Sequence, residues 1–269
     1  MIRRSAMALL LLGVVTGPAT SSGSDLRRKD VVLLSAAVVP AAASLYGAFG
    51  SHYVSSLSLA NPHPFPMTVT AYILPAGADN TDYRASAKTI DLPASGGTRI
   101  EDPLATIWGA SGLATIYLET TPSSGNDGAF AVDSRVLNVA NPAATFGLAL
   151  PGTLSGVTAG DVGYAADVES DAAYRTNFGL FNDSAETTVV TVELLANDGH
   201  LLGSKAYTLT PYSLIQKNVT DVTPSGFGRA TLRVTPASGY AGQIIGYTAV
   251  VDNATGDGAS ALLQVYRLL

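Results

Sequence analysis

The sequence predicts an all-β protein built from two tandem antiparallel β-sandwich domains, and three observations predict it. Apolar and polar residues alternate with period two, as in Val69, Ala71 and Ile73 against Thr68, Thr70 and Tyr72, the pattern of half-buried strands. Turn clusters separate these runs at roughly 8–12 residue spacing, as sandwiches and barrels require. Residues 53–74 align without a gap onto residues 174–195 at a constant offset of 121, with six of the 22 pairs identical: Tyr53/Tyr174, Leu59/Leu180, Asn61/Asn182, Val69/Val190, Thr70/Thr191 and Leu74/Leu195. A self-match at a fixed period marks a duplicated unit.

Taken in order, the chain opens with an export signal at residues 1–24. It has a basic start at Arg3-Arg4, a short apolar run and a small-residue zone with cleavage expected between Ala19 and Ser24. Residues 31–49 form a second apolar stretch, but Pro40 and its many small residues argue against a membrane span. The β-branched start at Val31-Val32 reads as a buried first strand. The first domain occupies residues 30–150 and the second residues 161–269, joined by a short Gly-, Ser- and Thr-rich linker at residues 151–160.

Turns fall at Asn61-Pro62, Gly77-Ala78-Asp79-Asn80, Ser95-Gly96-Gly97, residues 123–128, Asn197-Asp198-Gly199 and Asp252-Asn253. Asp198-Gly199 is a hairpin signal. Pro103 to Trp108 is the one helical turn expected, and residues 262–269 complete the second domain as a strand. Each copy offers about seven strands, which favours an immunoglobulin-like sandwich over a small β-barrel.

The match continues beyond Leu74 with drifting offsets. Ala114, Thr115 and Ile116 face Ala230, Thr231 and Leu232 at 116. Phe130, Val132, Val136 and Asn138 face Ile245, Tyr247, Val251 and Asn253 at 115. Near Pro93 and Pro211 the prolines align while the alternation around them is one residue out of phase, which predicts a bulge or gap in one copy.

Composition narrows the function. The 269 residues include no cysteine, which excludes disulfides, thiolate metal sites, thiol nucleophiles and a lipoprotein anchor. Charged residues are 13% and the net charge is −6, a poor match to nucleic acid, which demands clustered Lys and Arg. The three histidines, His52, His63 and His200, occupy unrelated places in the two copies and read as exposed loop residues. The acids Glu101, Asp102, Glu119, Asp133 and Glu169 lie on separate elements, so no carboxylate pair for glycoside hydrolysis is indicated. No phosphate-binding or dinucleotide motif follows a strand. The chain reads as non-enzymatic, with no required cofactor.

Two groupings are candidate sites. Asp252, Asn253 and Asp257 sit in an oxygen-rich, glycine-broken loop of the kind that can hold calcium; a turn stabilised by Asx side chains is the competing reading. Tyr53 and Tyr174 open equivalent strands and are candidate ligand contacts, as stacking platforms for sugar rings, or simply covers for the core. Asn61 and Asn182, at the ends of those strands, read as left-handed residues bonded to their own backbone. Sequons at Asn182, Asn218 and Asn253 suit turns.

The run Tyr174-Arg175-Thr176-Asn177-Phe178-Gly179-Leu180-Phe181-Asn182, with Asn197-Asp198-Gly199, Thr210-Pro211-Tyr212 and the stretch from Ala249 to Asp257, resembles a widespread, largely uncharacterised bacterial family of secreted tandem β-sandwich proteins. Some of its members are appended to exported proteases or surface proteins. The first copy departs from the pattern, with Ser55-Ser56 for Thr176-Asn177 and a longer loop after Leu74. The resemblance implies an immunoglobulin-like, non-catalytic, extracytoplasmic module and carries no site residues over. The function expected is structural or adhesive, by contact with a cell-envelope or extracellular protein or glycan, in the periplasm or at the surface. A carbohydrate-binding module is the alternative, and an accessory domain of an exported hydrolase system is third.

Overall fold

The period-two runs become strands, and the strands form antiparallel sheets throughout. The computed structural model describes residues 35–47, 50–122, 127–140, 146–224 and 226–267. The expected export signal and the start of the expected first strand at Val31 lie outside the described residues. The second apolar stretch is a strand, β1 (Ala36–Tyr46). Among the described residues no helix is long and apolar enough to cross a membrane.

In the first half, β1 is followed by β2 (His52–Ala60), β3 (Met67–Pro75), β4 (Lys88–Leu92), β5 (Gly97–Glu101), α1 (Pro103–Trp108), β6 (Gly112–Glu119), β7 (Ala131–Asn138) and β8 (Phe146–Ala149). They pair in the order β4-β3-β6-β1-β2-β7-β8, with β5 also on β2. The pair β1–β2 is short, Ser44 to Tyr46 against Val54 to His52. It joins a β4-β3-β6-β1 layer to a β5-β2-β7-β8 layer.

The second half holds β9 (Val157–Thr158), β10 (Asp161–Ser170), β11 (Tyr174–Asp183), β12 (Thr188–Ala196), β13 (Leu201–Leu209), β14 (Leu214–Asn218), β15 (Gly228–Pro236), β16 (Gln243–Asp252), β17 (Gly258–Leu262) and β18 (Gln264–Arg267). Its sheets run β13-β12-β15-β10-β18 and β14-β11-β16-β17, with β9 on β16. The C-terminal strand thus begins at Gln264 and pairs with β10, while Gly258–Leu262 belongs to the other sheet.

Matching strands by their partners corrects two expectations. Tyr53 pairs with Asn138 and Tyr174 with Asp252, so Asn138 corresponds to Asp252 rather than to Asn253. The offset there is 114, and a one-residue change exchanges the two faces of a strand. Phe130 therefore corresponds to Ile244, and each lies in the core of its own half. At the second place, β4 and β13 end 117 residues apart, as β5 and β14 begin. The turns between them are alike: Ser95 and Tyr212 are left-handed at φ 49° and 50°, and Gly96 and Ser213 donate back to Pro93 and Thr210. The prolines simply occupy different positions of the same turn. Pairing of β3 with β4 shows no register shift, and the shift between β12 and β13 lies at the far end, by Leu195.

Bulges do occur, at one place in each half: between Val39 and Ala42 in β1, and between Ala165 and Val168 in β10. Pro40 has no N–H to give a ladder, which suits a bulge. After each bulge one backbone amide is satisfied by a hydroxyl from the neighbouring strand. Ala43 N donates to Ser55 Oγ at 2.7 Å, and Glu169 N to Thr176 Oγ1 at 2.9 Å. The Ser55-for-Thr176 departure thus conserves the bond. Thr176→Val keeps the shape and strands a buried amide, so it is expected to cost about 1–3 kcal/mol in a denaturant titration.

Three apolar clusters hold the chain. One fills the first half (Val39, Leu57, Val69, Ile116, Leu118, Phe130), capped by Leu104, Ile107 and Trp108 of α1, the helical turn expected there. Another fills the second half (Phe178, Leu180, Val190, Val192, Leu232, Val234). The third lies between the halves, with Val38, Ala41, Ala43, Tyr72, Leu74, Val136 and Leu150 packed on Phe181, Leu214, Ile245 and Tyr247. The outer face of the β4-β3-β6-β1 layer therefore packs on the outer face of the β14-β11-β16-β17 sheet.

Hydrogen bonds add to this joint. Gly77 N donates to Leu214 O (2.8 Å), Asn80 N to Pro211 O (3.1 Å), and Asn80 Nδ2 to Tyr212 O (2.9 Å). Residues 151–160 are bonded to both halves: Thr153 exchanges two backbone bonds with Val38, and β9 pairs with β16. Leu33–Leu269 belong to one compact unit.

Candidate functional site

At one end of the joint the two facing sheets part and leave a cleft of about 350 Å³. The first half lines it with Ala43, Leu45, Tyr53, Leu113, Leu148 and Leu150. The second half supplies alternate residues of three adjacent strands: Arg175 and Asn177 of β11, Gln216 and Asn218 of β14, and Tyr247, Ala249 and Val251 of β16. Alternation sends one face of each strand into its own core and the other into the cleft.

The polar wall is ordered by its own bonds. Arg175 Nη1 donates to Asn253 Oδ1 (2.7 Å), Tyr247 Oη to Gln216 Oε1 (2.5 Å), and Asn218 Nδ2 to Asn177 Oδ1 (3.4 Å). Burial pushes the Tyr247 phenol up, out of its ordinary range. Its ring lies over Gly179, where an added Cβ would come within 2.1 Å of it. Glycine is needed there for the close approach of the ring.

The sequence-nominated residues scatter. Tyr53 lines the cleft. Tyr174 stands 37% exposed at a separate, open groove with Ser170, Asp171 and Thr220. The two tyrosines share no face. Asp252 Oδ1 accepts from Ala254 N (2.7 Å) and Thr255 N (2.9 Å), bonds that hold its carboxyl below the usual range. Asp257 Oδ1 accepts from Gly258 N, and Asn253 is bonded to Arg175 and to Ala172 O. That is an Asx-stabilised turn. Among the described residues, no three of the His, Asp and Glu side chains gather as a metal site.

The histidines are also apart. His52 stacks on Tyr46 at 4.2 Å between ring centroids, and His200 contacts Asp198 at 2.6 Å in the open. His63 is not an exposed loop residue: its Nε2 lies 3.0 Å from Ala129 O and 3.2 Å from Asp127, and its side chain is 17% exposed.

Asn61 and Asn182 are not left-handed: the positive-φ residues other than glycine, among those described, are Ser95, Asp102, Asp167 and Tyr212. Both are buried staples. Asn61 Nδ2 donates to Phe65 O and Pro93 O, and Asn182 Nδ2 to Glu186 O and Thr210 O. The sequon at Asn182 is therefore closed to glycan transfer.

No protein-family model matches the chain, and no curated protein sequence matches it. Among solved structures the chain is similar to infectious bursal disease virus, Gx strain, at 12% identity and a TM-score of 0.21, over 87% of this chain and 73% of that one. It is similar to Bacteroides uniformis beta-glucuronidase 2 at 11% identity and a TM-score of 0.17, over 80% of this chain and 24% of that one. The chain thus spans about a quarter of the enzyme's length. Likenesses at these TM-scores carry no argument about fold or activity.

A second polar grouping lies where loop 76–83 meets the turn at Tyr212. Tyr72 Oη donates to Glu119 Oε1 (2.6 Å), and Arg84 Nη1 to the same oxygen (2.8 Å). The Tyr83 ring lies 5.0 Å from that of Tyr212 and 5.3 Å from that of Tyr72. Burial first, then the Glu119 carboxylate, pushes Tyr72 and Tyr117 each up to about 12; burial does the same for Tyr240. These phenols keep their protons in the folded chain and lose them near 10 when it unfolds. The unfolded state then binds fewer protons between pH 10 and 12, so stability is expected to fall across that window. A phenolate absorbance titration checks this, native against denatured: these three tyrosines should ionise late only in the native chain.

The cleft residues Arg175, Asn177, Gln216, Asn218 and Tyr247 escaped the sequence reading. A signal existed: Ile244-Ile245-Gly246-Tyr247 and Leu180-Phe181 are apolar at consecutive positions, which marks strands covered on both faces.

Proposed function

We propose that the chain is an exported, non-catalytic protein of two tandem immunoglobulin-like β-sandwiches, residues 30–150 and 161–269, derived from one duplicated unit, with a structural or adhesive role. The duplication is supported by the common pairing order, β4-β3-β6-β1 beside β13-β12-β15-β10. The matched bulges and the paired staples Asn61 and Asn182 add to it.

The observation that carries the role is the third apolar cluster, which fuses the outer faces of two sheets. Domains joined through a small polar contact swing; a large apolar joint holds them as one stiff unit. Stiffness suits a spacer or adhesin. The outer edge of β13 runs for nine residues at the end of its sheet, and a partner strand can add to such an edge.

The test is binding of the labelled chain to envelope isolated from the producing cells. Saturable binding that survives glycosidase and is lost on protease treatment supports protein adhesion. Binding that survives protease, falls with glycosidase and recurs on a glycan array replaces this reading with the carbohydrate-binding one. Turnover of envelope material by the chain refutes a non-catalytic role.

A further inference from the structure

The cleft at the open end of the joint has two unlike walls. The first half presents Leu45, Leu113 and Leu148, aliphatic side chains that are only partly buried. The second half presents an apolar floor, Ala249 and Val251, edged by the amides of Asn177 and Asn218 and the guanidinium of Arg175. Sheet ladders, Tyr247 over Gly179 and the Asn80 bonds hold the walls apart, so the cavity is formed in advance. Its volume, about 350 Å³, is that of a small-molecule site, and such sites combine an apolar lining with a few convergent polar groups.

The charge on the polar wall selects among apolar ligands. Arg175 is aimed by Asn253 Oδ1, a neutral acceptor that leaves its positive charge in place. Arginine presents paired N–H donors that match a carboxylate. The lining does not favour a sugar: Tyr53 and Tyr247 are its aromatic rings, and Tyr247 is buried with its hydroxyl on Gln216.

We propose that this cleft binds a small aliphatic carboxylate, its chain laid on Leu45, Leu113 and Leu148 and its carboxylate on Arg175 and the Asn177 amide. An aliphatic chain there covers apolar surface that otherwise faces water. The site uses neither sheet edges nor envelope partners, so it stands independently of the adhesive reading.

The test is calorimetric titration of the full chain with decanoate, decanol and decylammonium. Decanoate is expected to bind at least tenfold more tightly than decanol, with decylammonium weakest. Arg175→Gln should remove that tenfold advantage and leave decanol binding unchanged. Leu45→Trp, at a partly buried position near a strand end, should fill the cleft and weaken both decanoate and decanol. In methyl spectra of the unmodified chain, decanoate should shift Val136, Leu148 and Val251. Equal binding of the three amphiphiles overturns the proposal, as does an Arg175→Gln variant that keeps the decanoate preference. Shifts confined to other methyls, or no heat with decanoate, overturn it as well.

Discussion

Phe181→Ala is expected to destabilise the chain by about 3–5 kcal/mol, the range for emptying a buried phenylalanine site, and to loosen the joint between the halves. Phe181 is fully buried, yet it points away from the core of its own half. It fills the space between the facing sheets with Leu214, Ile245 and Leu74. Removing it leaves a cavity that neither sheet can close alone, because each is held rigid by its own core.

Phe178→Ala separates the two effects. Phe178 lies three residues earlier on the same strand and faces the core of the second half, with its ring 5.7 Å from that of Tyr207. Its loss should cost a similar amount without touching the joint. Calorimetry is the measurement. Phe181→Ala should turn one unfolding transition into two, whereas Phe178→Ala should lower the stability of the second half alone. A single cooperative transition in Phe181→Ala, at near-native stability, would mean that the third cluster does not couple the halves.

Asn182→Ala should cost about 3 kcal/mol in urea unfolding with an unchanged denaturant slope. The amide of Asn182 is fully buried and donates to Glu186 O at 2.7 Å and Thr210 O at 2.8 Å, while its oxygen accepts from Tyr240 Oη. Alanine orphans these groups, and each buried group left unpaired costs about 1–3 kcal/mol. Water can reach the partly buried ones, which holds the total near the lower end. Asn182→Asp should be worse, because a carboxylate oxygen would face two carbonyls. An Asn182→Ala chain of native stability would refute the stapling role, and Asn61 with it.

These two residues show what could be read from the chain and what could not. The alternation of Val190, Val192 and Leu194 with Thr191 and Glu193, the turns, and the helical turn at Pro103–Trp108 are local patterns, so the strands and the all-β class were legible. The paired positions 61 and 182 were legible as a repeat. Their role was not: the partner carbonyls of Asn182 include Thr210, 28 residues away, and no local pattern reports a contact across that distance.

Where the self-match was densest, the register was right. Where it thinned, the residue types allowed a slip of one. Only pairing to a neighbour, Tyr174 with Asp252, decided which face of β16 met the core.

The amino-acid sequence by itself determined the strand content, the repeat, and the absence of thiol chemistry, because these depend on residue type and near-neighbour spacing. Tertiary structure alone decided that two sheets pack back to back through Phe181 and Tyr247. It alone decided that Tyr53 enters the cleft while Tyr174 does not, and that Arg175 edges an apolar cavity. Those facts depend on which outer faces meet. Outer faces meet through side chains far apart in the chain, whose period-two pattern is the same whether the second face is covered by protein or by water.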